Sequence, residues 1–132
     1  MTVMSDDRGG EHKGSCLCGG VRYTITGPLG GVTACHCRQC QKQTGLHFAS
    51  IGVAFDDFRW DSEATLRRYR SSEKAERGFC CTCGSVLFWR NVMHDEIWIT
   101  AGTLDQPTGV RIKQNVHTEF AGDFYTLPET TD

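Results

Sequence analysis

The sequence lacks long apolar runs, a strong excess of charge of one sign, and an apolar segment near its beginning. No apolar run approaches the roughly 20 residues that span a bilayer as a helix, and residues 1–13 contain no signal-peptide core. The formal net charge is only −2, whereas dedicated nucleic-acid binders usually carry a large basic excess. We therefore expect a cytoplasmic protein that binds neither membranes nor nucleic acids.

A helical pattern of ordinary length is also missing. Short segments with alternating or β-branched residues are separated by turns marked with glycine and proline. The pattern predicts an all-β fold of small antiparallel sheets in one domain, because 132 residues suit a single core. One short helical turn is expected at residues 38–44, ended by Gly45.

The predicted domain covers residues 14–128. Residues 1–13 are polar and without periodicity, which predicts a flexible amino-terminal tail. Residues 117–125 are predicted to form a last extended segment, and residues 129–132 are predicted to fray.

Cysteine is the abundant residue type, with eight in the chain. The cysteines form three groups, a C-x-C at Cys16, a C-x-C-x-x-C beginning at Cys35, and a C-C-x-C beginning at Cys80. In a chain without a signal sequence, such grouping favours metal binding over disulfides.

Our functional interpretation depends mainly on the segment from Cys35 to Cys40. Side chains two residues apart on an extended segment share a face, so Cys35 and Cys37 converge while His36 points away. A turn then brings Cys40 to the same point, and three thiolates would hold zinc with one open position, as in catalytic sites. His36, His47 and Gln43 are candidate proton donors.

The remaining cysteines leave alternatives open. In the simplest partition, a closed four-sulfur site ties together distant parts of the chain, and its ligands are Cys16, Cys18, Cys80 and Cys83. Cys81 is then either a small buried apolar residue or a fourth ligand that closes the three-cysteine site. A third partition has one structural zinc together with redox-active free thiols.

We interpret most of the basic and aromatic residues near these motifs as structural. The run Arg67, Arg68 and Arg70 is expected to form a solvated strand face, whereas Arg77 is expected near a zinc site. The three tryptophans are expected in the core or on strand faces, and they are Trp60, Trp89 and Trp98.

Five stretches, taken together, are specific to a known family. They are residues 14–23, residues 35–40, residues 66–72, residues 77–85 and residues 101–105. In order and spacing the chain resembles the glutathione-dependent formaldehyde-activating enzyme family, which also includes centromere protein V.

The resemblance implies a zinc-stapled, β-tent-like fold with two zinc ions per chain. It implies a structural zinc on Cys16, Cys18, Cys80 and Cys83, and a catalytic zinc on Cys35, Cys37 and Cys40. It also implies condensation of formaldehyde with glutathione to S-hydroxymethylglutathione, which is a carbon–sulfur lyase reaction run in reverse.

We therefore expect a zinc-dependent lyase that joins or cleaves a small thiol and an aldehyde. A coordinated thiol is deprotonated, so the three-cysteine site would bind the substrate sulfur as a thiolate, with His36 as a catalytic candidate. The competing hypotheses are a non-catalytic zinc-stapled binding module and a thiol redox or zinc sensor. The expected assembly is a monomer or a homodimer.

Overall fold

The structure is a computed structural model that describes residues 10–131. Ten strands and one short helix make up most of it, which confirms the all-β class. They are β1 Glu11–Ser15, β2 Val21–Thr26, β3 Val32–Cys35, α1 Arg38–Thr44, β4 Phe48–Ala54, β5 Phe58–Glu63, β6 Leu66–Arg70, β7 Ala75–Cys80, β8 Val86–Asn91, β9 Glu96–Thr100 and β10 Ile112–Val116. No helix in the described range is long and apolar enough to cross a bilayer.

The strands form two sheets. The larger sheet has seven strands in the order β10-β3-β4-β9-β8-β7-β6, and the smaller has three in the order β1-β2-β5. Neighbouring strands are antiparallel except at one edge of the large sheet, where β10 runs parallel to β3. This parallel pair brings residues 112–116 beside the segment that leads into Cys35, although about 80 residues separate them in the chain.

The two faces of the large sheet have different surroundings. On one face, Ile51, Ile97 and Ile99 are buried, and they belong to one core cluster with Tyr23 and Ile25 of the small sheet. Side chains alternate between faces along a strand, so the neighbouring positions point away from this core. The face opposite the core is therefore available to form a site.

The chain ends differ from the predicted boundaries. Residues 11–13 of the predicted tail belong to β1, while residues 1–9 and 132 lie outside the described range. At the other end, the backbone N–H of Thr131 donates to the carbonyl of Ile112 at 3.0 Å, so the chain is held beyond residue 129. The predicted extended segment at 117–125 is wrong, because the chain turns at His117 into a 3₁₀ helix, Thr118–Phe120.

Candidate metal centres and the adjoining cavity

Four cysteines from two distant segments meet at the first cluster. Cys16 and Cys18 lie between β1 and β2, Cys80 ends β7, and Cys83 follows in the next turn. The Sγ of Cys18 lies 3.7 Å from the Sγ of Cys16 and 3.7 Å from that of Cys80. Tetrahedral zinc with Zn–S bonds of ~2.3 Å separates its sulfurs by about 3.8 Å. This donor set therefore fits a closed tetrahedral metal site.

Neighbouring hydroxyl groups stabilise the thiolates of Cys80 and Cys83 in this cluster. The Thr65 hydroxyl lies 3.1 Å from the Sγ of Cys80, and the Ser85 hydroxyl lies 3.2 Å from that of Cys83. The hydrogen bond from Ser85 lowers the pKa of the Cys83 thiol to about 5. Hydrogen bonds of this kind orient metal ligands and hold them in the binding form.

The second cluster forms where β3 runs into α1. Cys35 ends β3, Cys37 is the N-cap of α1, and Cys40 lies in its first turn. The Sγ of Cys37 accepts a hydrogen bond from the backbone N–H of Cys40 at 3.3 Å and lies 3.0 Å from the Sγ of Cys40. All three sulfurs lie within 4.8 Å of one another, so these three donors can hold one metal ion.

The second cluster opens into a cavity of about 710 Å³. Within the described range no fourth cysteine, histidine or acidic group completes it, so a metal ion here would keep a position for an external ligand. Cys81 is exposed and belongs to neither cluster, contrary to both interpretations offered for it. The cavity contains the following side chains: Thr33, Cys35, Cys37, Arg38, Gln39, Cys40, Phe48, Ser50, Ser72, Ala75, Arg77, Trp89, Trp98, Gln114, Val116, His117 and Phe120.

Arg77 connects the large sheet to the second cluster, close to where the sequence placed it. The side chain is only 4% exposed, and its Nη2 lies 3.8 Å from the Sγ of Cys40. Further hydrogen bonds from its guanidinium reach Gln43, Gln39 and Ser71 at 2.8, 3.4 and 3.3 Å. A buried cation requires a compensating charge, which the three-thiol cluster would provide once its thiols are deprotonated.

The structure does not bring the ring of His36 to the cavity. The ring is fully buried, with Nδ1 2.6 Å from the Tyr125 hydroxyl and Nε2 2.9 Å from Oδ1 of Asn115. The amide oxygen can only accept, so Nε2 carries the proton and Nδ1 accepts from Tyr125. Both ring nitrogens are thus engaged by Tyr125 and Asn115, and the catalytic part expected for His36 stays a prediction.

His117 is a cavity residue that the sequence did not single out. Its side chain is exposed and lines the cavity, and its backbone has φ 54° and ψ 39°. Left-handed backbone at a residue other than glycine is uncommon and concentrates at functional sites. Only the pairing of β10 with β3 brings this residue near Cys35, so no local sequence signal identifies it.

Two of the three tryptophans form a wall of the cavity. Trp98 on β9 pairs with Trp89 on β8 and with Gly52 on β4, and Trp89 pairs in turn with Arg77 on β7. Directly paired residues share a face, so this row crosses four strands on the side opposite the core. Trp60 instead packs against the core cluster.

The fold and the two cysteine clusters define the class of protein. This is a two-sheet β protein with a closed four-thiol cluster and an open three-thiol cluster beside a cavity, both able to bind metal. The chain belongs to the glutathione-dependent formaldehyde-activating enzyme family, whose model matches residues 11–120.

Two further similarities accompany the family match. Over 79 residues the chain is 28% identical to an uncharacterized lyase of Schizosaccharomyces pombe, and the match covers 60% of this chain and 57% of that lyase. The chain thus spans little more than half the length of this curated relative. A crystal structure of a Rhodobacter sphaeroides protein is similar to this chain, with a TM-score of 0.62 and 22% sequence identity. The match covers 76% of this chain and 99% of that one, and it shows a likeness of fold alone.

Proposed function

We propose that this protein is a zinc-dependent carbon–sulfur lyase that joins or cleaves a small thiol and an aldehyde. In the joining direction, R–SH and R′–CHO give R–S–CH(OH)–R′. A carbon–sulfur bond forms, the carbonyl π bond breaks, and the thiol proton ends on the former carbonyl oxygen. Family membership and the lyase relative support this reaction class.

The observation that carries the proposal is the open face of the three-cysteine cluster toward a large cavity. Cys35, Cys37 and Cys40 would hold the catalytic zinc, while the four-thiol cluster would hold a structural one. When bound at the open cluster, zinc supplies a positive centre that takes a substrate thiol as its thiolate.

The protein's own residues then control charge and position. Three thiolates around a divalent ion leave a formal charge of −1, which the guanidinium of Arg77 beside Cys40 offsets. The N-cap geometry of Cys37 and the hydrogen bond from the Cys40 backbone fix the ligand positions before substrate arrives. The ligand positions fixed in this way would keep the open side of the site toward the cavity, where a bound substrate sulfur would be oriented for attack on the carbonyl carbon.

A proton must reach the developing alkoxide, and we assign its delivery to His117. This side chain lines the same cavity and is exposed to solvent, from which it can be reprotonated. Replacement by glutamine should lower kcat by about 10²-fold, the lower end of general acid catalysis, with little change in KM. A rise confined to KM would instead assign His117 to substrate binding.

The decisive experiment measures zinc per chain and zinc coordination by X-ray absorption, with and without glutathione or formaldehyde. Wild type should hold two zinc ions, Cys37→Ser one, and the matched control Cys81→Ser two, because Cys81 lies outside both clusters. An added thiol should supply a fourth sulfur to one zinc in wild type and in Cys81→Ser. The acceleration of hemithioacetal formation over the uncatalysed rate, followed by exchange NMR, should disappear in Cys37→Ser alone.

Other outcomes would select the competing hypotheses. Two zinc ions that are already fully coordinated by sulfur and indifferent to thiols would indicate a binding module. Loss of zinc with disulfide formation under mild oxidant would indicate a sensor.

A further inference from the structure

We propose that a groove beyond Trp98 binds the amino-acid head of the thiol substrate, the carbon that carries both an ammonium and a carboxylate group. Glu96 and Asp95 would pair with the ammonium, and Lys113 would pair with the carboxylate. The inference rests on the proposed function, because it places the substrate sulfur at the three-cysteine cluster. It assigns the residues of this chain that would select a γ-glutamyl thiol such as glutathione.

The groove is a second cavity, with a volume of about 310 Å³, that adjoins the cavity of the three-cysteine cluster. Three side chains line both cavities, and they are Thr33, Trp98 and Gln114. The side-chain amide of Gln114 donates to the Thr33 hydroxyl at 2.8 Å, which joins β10 to β3 along this boundary. A ligand held at the cluster can therefore extend past Trp98 into the groove along the same face of the sheet.

Acidic side chains line the groove but not the cavity of the cluster. In the described range the cluster cavity contains the cations Arg38 and Arg77 and no aspartate or glutamate, whereas the groove contains Asp95, Glu96 and Lys113. Arginine side chains can pair with the carboxylates of a substrate, but an ammonium group needs a negative partner. Between these two cavities, only the groove offers the ammonium such a partner.

The charged groups of the groove do not neutralise one another. Within residues 10–131, no ion pair or hydrogen bond engages the ammonium of Lys113 or the carboxylate of Asp95. One carboxylate oxygen of Glu96 accepts the indole N–H of Trp98 at 2.8 Å, and the other oxygen has no such partner. Opposite charges that line one cavity without contact complement a ligand that carries both charges.

A bulge and two glycines place the side chains of the groove. The register of β10 against β3 shifts around Lys113, so this residue is released from the regular alternation of side chains. A Cβ built at Gly31 would lie 2.5 Å from Cδ of Lys113, and one built at Gly52 would lie 3.0 Å from the Trp98 indole. The two glycines therefore let the lysine stem and the indole lie close to the sheet backbone.

The distance from the cluster to the groove suits a γ-glutamyl thiol. Phe48 pairs with Cys35 and Gly52 pairs with Trp98, and these two positions on β4 are about 13 Å apart along the strand. The sulfur and the amino-acid head of a γ-glutamylcysteinyl thiol are roughly 9 Å apart when the chain is extended. A sulfur on the cavity side of the cluster therefore puts the head near Trp98, within reach of the long charged side chains.

The test compares glutathione with glutaryl-cysteinylglycine, which differs only in lacking the ammonium group. Calorimetry on the zinc-loaded wild type should show that glutathione binds at least fivefold more tightly. The double change Asp95→Asn with Glu96→Gln should remove this preference, and Lys113→Met should weaken both thiols alike. Glu63→Gln and Lys42→Met are the matched controls, because both residues are exposed and line neither cavity.

The wild-type comparison tests the proposal even if a variant fails to fold, and Gln at position 96 keeps an oxygen that can accept the Trp98 indole N–H. Equal affinities, with sulfur added to zinc by both thiols in X-ray absorption, would overturn the groove assignment and leave the proposed function intact. Absence of added sulfur with either thiol would overturn both. A preference for glutathione that persists in the double variant would place the ammonium elsewhere and overturn the assignment.

Discussion

At the scale of single residues, Arg77 is a charged side chain in a buried position. Its guanidinium is buried, and its hydrogen bonds join α1, the loop before β7 and the sulfur of Cys40. The planar fork reaches these partners simultaneously, which a lysine ammonium cannot do from one position. Arg77 thus couples the stability of the helix to the charge of the three-thiol cluster.

We predict that Arg77→Lys lowers the free energy of unfolding by about 2 kcal/mol, because hydrogen bonds of a buried charged group are lost. The same change should weaken zinc binding at the three-thiol cluster while leaving the four-thiol cluster occupied. Denaturant unfolding and competition with a chromogenic chelator measure these two effects. Arg67→Lys on the exposed strand β6 is the control and should change stability by less than about 0.5 kcal/mol. Equal effects of both changes would contradict this role.

At the scale of elements, His36 joins three segments. Its ring binds Asn115 of β10 and Tyr125 of the carboxyl-terminal segment, while it lies itself between β3 and α1. The side chain of Gln41 on α1 adds a hydrogen bond to the Phe120 carbonyl at 2.7 Å. Together these bonds hold the carboxyl-terminal segment against the helix that carries Cys40 and is capped by Cys37.

Tyr125→Phe should therefore destabilise the protein by about 1–2 kcal/mol, because the buried Nδ1 of His36 loses its donor. Thermal unfolding measures this loss, and hydrogen exchange should show faster opening of α1 and residues 117–125. Tyr69→Phe, at a residue 63% exposed, is the matched control. If both changes were neutral, His36 would not position this segment.

At the scale of the whole molecule, the four-thiol cluster ties the two sheets together. Cys16 and Cys18 follow β1 of the small sheet, whereas Cys80 ends β7 of the large one and Cys83 lies just beyond it. Metal binding here closes a loop of more than sixty residues, and the binding free energy of such a site contributes to folding.

We predict that metal leaves the protein in two phases. A chelator should first remove one zinc from the open cluster with little loss of structure, and then a second zinc together with unfolding. Zinc release and circular dichroism, recorded in parallel, measure the two phases. Cys37→Ser should lack the first phase, while Cys81→Ser should keep both; simultaneous release from wild type would contradict the division into structural and open sites.

Local features of the sequence were sufficient to predict the all-β class and the three-cysteine cluster, whereas the four-cysteine cluster joins distant segments and was the simplest of several partitions. Ligand spacing is a local property, since Cys35, Cys37 and Cys40 are brought together by strand alternation and one helical turn. The predictions were weaker where a residue's surroundings come from elsewhere in the chain. The catalytic expectation for His36 followed from its place in the motif, yet Asn115 and Tyr125 engage its ring.

The sequence alone therefore determined that Cys35, Cys37 and Cys40 converge, and it left open whether Cys81 joins them. The tertiary structure decided what surrounds that cluster, because the cavity wall comes from strands whose order cannot be deduced from local pattern. The pairing of β10 with β3 brings in His117, and the series β4-β9-β8-β7 aligns Gly52, Trp98, Trp89 and Arg77 on one face. Metal chemistry depends on spacing along the chain, whereas substrate selection depends on contacts between distant strands.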